Sequence, residues 1–205
     1  MKKYDSIFHL FLAICTILFM VWSKYDCLDH FIWWLEAAAV IIGLPILIIT
    51  YNKFPLTNLC YILIWTHGLI LLIGAHYTYE KVPLFDYFKF EFSLSRNYFD
   101  RVGHFFQGFV PAIITRELLI RTSALKNGKW LSTLIVMSVL GISALYEIFE
   151  WIVGDFTGES AAGFLALQGD IWDTQKDMVL AGIGATLSLL SLGRIHDKQL
   201  SKLKS

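Results

Sequence analysis

The strongest constraint on this chain is a succession of apolar stretches, each close to the length of a membrane-crossing helix. Crossing the hydrocarbon core takes about 20 largely apolar residues, and six stretches approach that: 7–22, 31–50, 57–76, 102–120, 131–153 and 176–192. Only 17% of the residues are charged and 56% are hydrophobic, whereas an average soluble domain carries roughly 25% charge. The expected architecture is therefore all-α: a polytopic membrane bundle of about six transmembrane helices. A further segment, 83–99, interleaves Phe85, Tyr87, Phe88, Phe90 and Phe92 with Asp86, Lys89 and Glu91. Aromatic side chains favour the headgroup level, so it reads as an interfacial aromatic segment. No repeat, low-complexity tract or linker divides residues 1–205, which read as a single integral membrane domain.

Lys2 and Lys3 followed by an apolar run have the layout of a signal peptide, but no small-x-small cleavage site follows. An uncleaved first span is expected. Six spans place both termini on one side of the membrane. With the termini in the cytoplasm, Lys2, Lys3, Lys53, Arg121, Lys126, Lys129, Arg194, Lys198, Lys202 and Lys204 lie inside, and Lys24, Lys81, Lys89, Arg96, Arg101 and Lys176 outside. That positive-inside bias gives an N-in, C-in topology. The net charge of +0 argues against a nucleic-acid partner.

Against this apolar background, acids and a histidine gather at one end of the later spans. Asp100 and His104 stand four apart and share a helical face. The plainer alternative is a helix-start aspartate beside an interfacial histidine. Glu147 and Glu150 also share a face, and two carboxylates so placed need a proton or a cation between them. Snorkelling towards headgroups is the alternative, better suited to Glu150 beside Trp151 than to Glu147. Asp170, Asp173 and Asp177 form one stripe at i, i+3 and i+7, a spacing that suits a hard divalent cation or an acid and base pair. Helix capping explains one of the three. In the N-in orientation all of these residues face outward, with Glu36 and His76 at the same level. The glycine-bearing loop 154–169 reads as a mobile or re-entrant segment over them.

Arg116 and Glu117 fall towards the inner end of the fourth span, where they are expected to bond to each other's neighbours or to snorkel with Arg121. Pro111, mid-span, marks a kink. His67 reads as a core histidine, Trp33, Trp34 and Trp65 as belt or packing residues. Cys15, Cys27 and Cys60 have no CxxC spacing, and Cys15 and Cys60 are expected among apolar neighbours. No nucleophile elbow, phosphate-binding loop, HExxH or dinucleotide fingerprint is present.

In 99–105 (Phe-Asp-Arg-Val-Gly-His-Phe), 108–112 (Gly-Phe-Val-Pro-Ala), Arg116-Glu117, 147–151 (Glu-Ile-Phe-Glu-Trp) and 169–178 (Gly-Asp-Ile-Trp-Asp-Thr-Gln-Lys-Asp-Met), the chain resembles the bacterial YjdF family of inner-membrane proteins. The resemblance implies a small multi-pass protein of the bacterial inner membrane and leaves its mechanism open. More distantly, Asp100-Arg101-x-x-His104-Phe105 and Asp177 with Gly184 are similar to motifs of VanZ-like membrane proteins, some linked to glycopeptide-antibiotic resistance. Ala181 stands where that group has asparagine, and Glu150 where it often has glutamine. The likeness implies a role in the cell envelope.

The expected site is an outward-facing acidic pocket. Asp100, His104, Glu147, Glu150, Asp170, Asp173 and Asp177 are its candidate ligands for a divalent metal cation, and His104, Glu147 and Asp177 its candidate catalytic groups. Metal-assisted action on an envelope lipid or cell-wall precursor is the chemistry these residues allow. The alternatives are a small transporter or proton-coupled protein, and a non-catalytic structural partner of other membrane proteins.

Overall fold

The computed structural model describes residues 3–157 and 165–203. Among them every regular element is a helix: α1 (Lys3–Lys24), α2 (His30–Glu36), α3 (Ala38–Thr50), α4 (Asn58–Tyr77), α5 (Pro83–Glu91), α6 (Phe99–Thr122), α7 (Lys129–Thr157) and α8 (Asp173–Leu203). The local reasons are ordinary ones. Asp29 caps α2 by accepting from the Phe31 and Ile32 amides, and the Thr57 hydroxyl caps α4. Pro83 opens α5, where its missing N–H costs nothing. Pro111 lies inside α6 without ending it.

α1, α4, α7 and α8 are each long and apolar enough to cross a membrane, and α2 with α3, bent by 42° at their junction, is long and apolar enough when the two are taken together. The expected straight span 31–50 is thus broken at Ala37. The break follows Glu36, which is buried and accepts from the Tyr146 hydroxyl at 3.3 Å, so the bend comes where an acid turns into the bundle. α6 is too charged to qualify by composition, yet its 24 residues extend about 36 Å, enough to cross. It is packed on by α4, α7 and α8, so its charges meet protein rather than lipid. With α6 counted the described helices are compatible with about six crossings, and α5 is the short aromatic helix expected at the interface.

The most extensive helix pairing is α6 with α8. The two run in the same direction: Arg101 meets Asp173, His104 meets Asp177, and further along Arg116 meets His196. Between these polar levels the backbones touch. A Cβ on Gly184 would stand 2.1 Å from the Phe105 carbonyl oxygen, so only glycine permits the approach. Apolar burial does not drive helices together in lipid, and close backbone packing of this kind takes its place. Ala112, Leu131, Ile135, Val139, Ala181 and Ala185 complete the seam among α6, α7 and α8. α1 and α2 pack on the other flank of α4, and the faces of α1 and α3 rich in exposed Ile, Leu and Phe are left for lipid.

Candidate functional site

The parallel α6 and α8 each carry polar residues at both ends, so the pairing creates two polar clusters, one above and one below the apolar seam. They differ in how completely their hydrogen bonds are satisfied.

The cluster around Glu117, called inner after the N-in orientation expected from the sequence, is closed. Glu117, fully buried, accepts from the Thr57 amide (3.1 Å) and hydroxyl (2.7 Å), from Cys60 Sγ (3.1 Å) and from Arg121 (2.6 Å). His196 Nε2 lies 3.0 Å from the same carboxylate, while its Nδ1 faces Arg116 at 3.0 Å. A guanidinium can only donate, so Nδ1 accepts and Nε2–H donates to Glu117. Arg116 also donates to Asn127 and Asp197. Cys60, Glu117 and His196 have the residue types of a metal site, but each donor there already has its acceptor. The expected bonding of Arg116 and Glu117 to their neighbours holds. Cys60 packs among Leu12, Leu56, Tyr61 and Ile113, as expected, and its thiol also donates to this buried carboxylate.

The cluster around His104, called outer by the same expectation, is built on two arginines. Asn97 and Gln168 tie the chain ahead of α6 to the chain ahead of α8: the Asn97 amide donates to Gln168 Oε1 at 2.8 Å, and Gln168 Nε2 donates back to the Asn97 carbonyl at 3.0 Å. Arg96 is thereby held against Asp173 and donates to Asp100 Oδ2 (3.2 Å) and the Ala166 carbonyl (2.9 Å). Arg101 donates to Asp173 (2.6 Å) and Asp170 (3.1 Å) and pairs with Asp177. Lys176 adds a 2.6 Å bond to Asp170. That bond and the Trp172 amide hold the Asp170 carboxyl below the usual carboxylate range.

His104 stands beneath this clamp. Its Nε2 is 3.3 Å from Asp100 Oδ1 and 3.8 Å from Asp177 Oδ1; its Nδ1 is 2.9 Å from Gln107 Oε1 and 3.6 Å from Glu147 Oε1. One ligand atom from each of Asp100, His104 and Asp177 falls within 4.8 Å of the others, and all three residues are buried. Asp177 Oδ1 and Glu147 Oε1 are buried without a hydrogen-bond partner among the described residues. Three cationic side chains, Arg96, Arg101 and Lys176, face seven acids: Glu36, Asp100, Glu147, Glu150, Asp170, Asp173 and Asp177. Such an excess requires protons or a bound cation. Beside Glu147 a cavity of about 350 Å³, lined by Glu150, Trp151, Gly154, Asp155, Leu165, Leu167 and Thr174, leads from the cluster.

The seven expected site residues are thus divided. Asp100, His104, Asp177 and Glu147 converge, Glu150 lines the adjoining cavity, and Asp170 and Asp173 serve the arginines. The loop 154–169, read as a cover, lies partly outside the described residues. Arg96, which the sequence offers only as an outward positive charge, and Arg101, which it also places in the Asp100-Arg101-x-x-His104-Phe105 motif, are the organising residues. Their available signal was the i, i+4 spacing of Arg96 and Asp100.

The family described as "Predicted membrane protein (DUF2238)" matches residues 8–198, a range that includes both polar clusters. The chain is 40% identical over 190 residues to "Inner membrane protein YjdF" of Escherichia coli (strain K12), covering 93% of this chain and 91% of that one. No solved structure matches it. On this extent of similarity, and with helices apolar enough to cross a membrane, the chain belongs to the YjdF and DUF2238 family of membrane proteins.

Proposed function

We propose that this is an inner-membrane protein, with both termini in the cytoplasm, whose outward pocket binds a divalent cation at Asp100, His104 and Asp177. Through that ion it engages the polar head of an envelope lipid or cell-wall precursor. The observation that carries the reading is the pair of unpartnered buried oxygens, Asp177 Oδ1 and Glu147 Oε1, on opposite sides of the His104 ring. Two carboxylates and an imidazole suit Zn²⁺ or Mn²⁺. An ion on Nε2 leaves Nδ1–H to donate towards Gln107 and Glu147, the outer-sphere bond that fixes a ligating histidine. The ion would polarise a bound phosphate or carbonyl oxygen, and Glu147, at the mouth of the cavity, is placed to take a proton from an attacking water or hydroxyl. Asp170 and Asp173 act at one remove, by fixing Arg101 against Asp177.

A proton or ion relay is less well supported. It requires polar groups at successive depths, whereas the α6 and α8 seam between His104 and Glu117 is backbone packed on backbone at Gly108 and Gly184.

The test is metal content, by mass spectrometry, of detergent-purified protein. Near-stoichiometric Zn²⁺ or Mn²⁺ in the wild type, lost in His104→Ala and in Asp177→Asn but kept in Asp173→Asn, is the expected result. Folded wild type that neither carries metal nor takes it up on titration would overturn the reading.

A further inference from the structure

α1 and α3 both lean on α4 and leave a cavity of about 460 Å³ between them, backed by Val110 and Ile114 of α6. That volume lies within the range of about 300–1,000 Å³ typical of small-molecule sites. Its walls are largely apolar. Of its polar lining groups, His9 and Tyr51 are already engaged: His9 bonds the Tyr51 hydroxyl at 2.9 Å and Asn58 at 2.8 Å. Deeper in, two wall residues depart from this. Trp65 Nε1 and His67 Nε2 are buried, and neither has a hydrogen-bond partner among the described residues. His67, expected as a satisfied core histidine, is therefore not satisfied on this nitrogen.

An indole N–H can only donate, and a donor buried in an apolar wall without an acceptor is unfavourable. The nitrogen has almost no accessible surface, so an oxygen brought in by a ligand can partner it once the indole, which lines the cavity, turns towards that space. Depth restricts what that ligand can be. Trp65 is seven residues into α4, about 10 Å along the helix, close to its middle, beyond the reach of a phospholipid headgroup held at the interface. Space is available as well: Gly43 lines the cavity, and a Cβ built on it meets nothing within 4 Å.

We propose that this cavity binds a lipid-soluble molecule with an apolar body and a carbonyl or hydroxyl oxygen, which accepts from Trp65 Nε1 beside His67 at mid-membrane depth. Quinones and isoprenoid alcohols share this chemistry. The site is separate from the outer pocket and needs no metal.

Native mass spectrometry of the full chain in mild detergent, titrated with decylubiquinone as the carbonyl probe and farnesol as the hydroxyl probe, tests this. One bound molecule of at least one probe is expected, unaffected by chelator, and the tighter probe identifies the class. Gly43→Leu, which fills the space, should weaken binding at least about tenfold without lowering the melting temperature. Trp65→Phe, which removes one hydrogen bond, should weaken it about three- to tenfold. Absence of binding by both probes, or unchanged affinity in a folded Gly43→Leu protein, would overturn the proposal. If Gly43→Leu does not fold, unchanged affinity in Trp65→Phe overturns it.

Discussion

The carbonyl oxygen of Ala181 on α8 occupies the space that a side chain on Gly108 of α6 would need, 1.9 Å from where its Cβ would lie. This contact, with its counterpart at Gly184, sets how closely the two polar helices approach and so whether Asp100 and His104 reach Asp177.

Gly108→Ala should therefore destabilise the protein, although alanine is worth up to about 1 kcal/mol more than glycine within a helix. The obstacle is backbone, which cannot rotate away, and overpacking of this kind costs about 1–3 kcal/mol. Gly141→Ala in α7, where a Cβ meets nothing within 4 Å, is the control. Melting temperatures in detergent should fall for the first variant and hold or rise for the second.

Asp173→Asn and Asp177→Asn remove one carboxylate each from the same end of α8 with different expected results. Asp173 neutralises Arg96 and Arg101, whose side chains are 4% and 10% exposed. Breaking a buried ion pair from one side costs about 3–5 kcal/mol. Asp173→Asn should lower the melting temperature and retain metal in the folded fraction. Asp177→Asn should lose metal.

Glu117→Gln tests the inner cluster as a structural lock. The amide keeps the shape but leaves Arg121 without its buried counter-ion, and a loss of about 3–5 kcal/mol is expected. Metal content of the folded protein should not change, because the outer ligands lie beyond the seam.

Acidification should act on Asp170 in a defined direction. Its folded-state pKa is lowered by Lys176 and by the Trp172 amide. The stabilisation is thus present above the ordinary carboxylate range and is lost as the pH falls through the lowered value. Hydrogen exchange of residues 165–172 should rise at that acid limit in the wild type, and in Asp170→Asn should already be raised at neutral pH.

Topology is testable without reference to the site. Reporter fusions after Leu203 should be active as the fluorescent protein that matures in the cytoplasm and inactive as alkaline phosphatase, as the bias of lysine and arginine requires. The reverse pattern would place the acidic pocket on the cytoplasmic side.

Residue type and spacing carried much of this organisation. Runs of apolar residues must become helices in lipid, where every backbone amide needs an internal partner. The crossings, the aromatic interfacial helix α5 and the placing of Asp100, His104, Glu147 and Asp177 at one level all follow from that rule and from the alternation of spans. The bend after Glu36 did not follow, since it depends on the hydroxyl of Tyr146, 110 residues away.

Local chain properties, apolar length and charge position, were enough to specify an all-helical membrane protein with carboxylates gathered at the ends of its polar spans. Which buried carboxylate oxygens are left without a hydrogen-bond partner depended on how the helices pack. Asp173 and Asp177 are one helical turn apart and look alike in sequence; Arg96, ahead of α6, and Arg101, in its first turn, both bond Oδ1 of the first, while Oδ1 of the second is buried without a hydrogen-bond partner among the described residues, 3.8 Å from His104 Nε2. Hydrogen-bond satisfaction is a property of neighbours in space, and those neighbours lie more than 65 residues away along the chain.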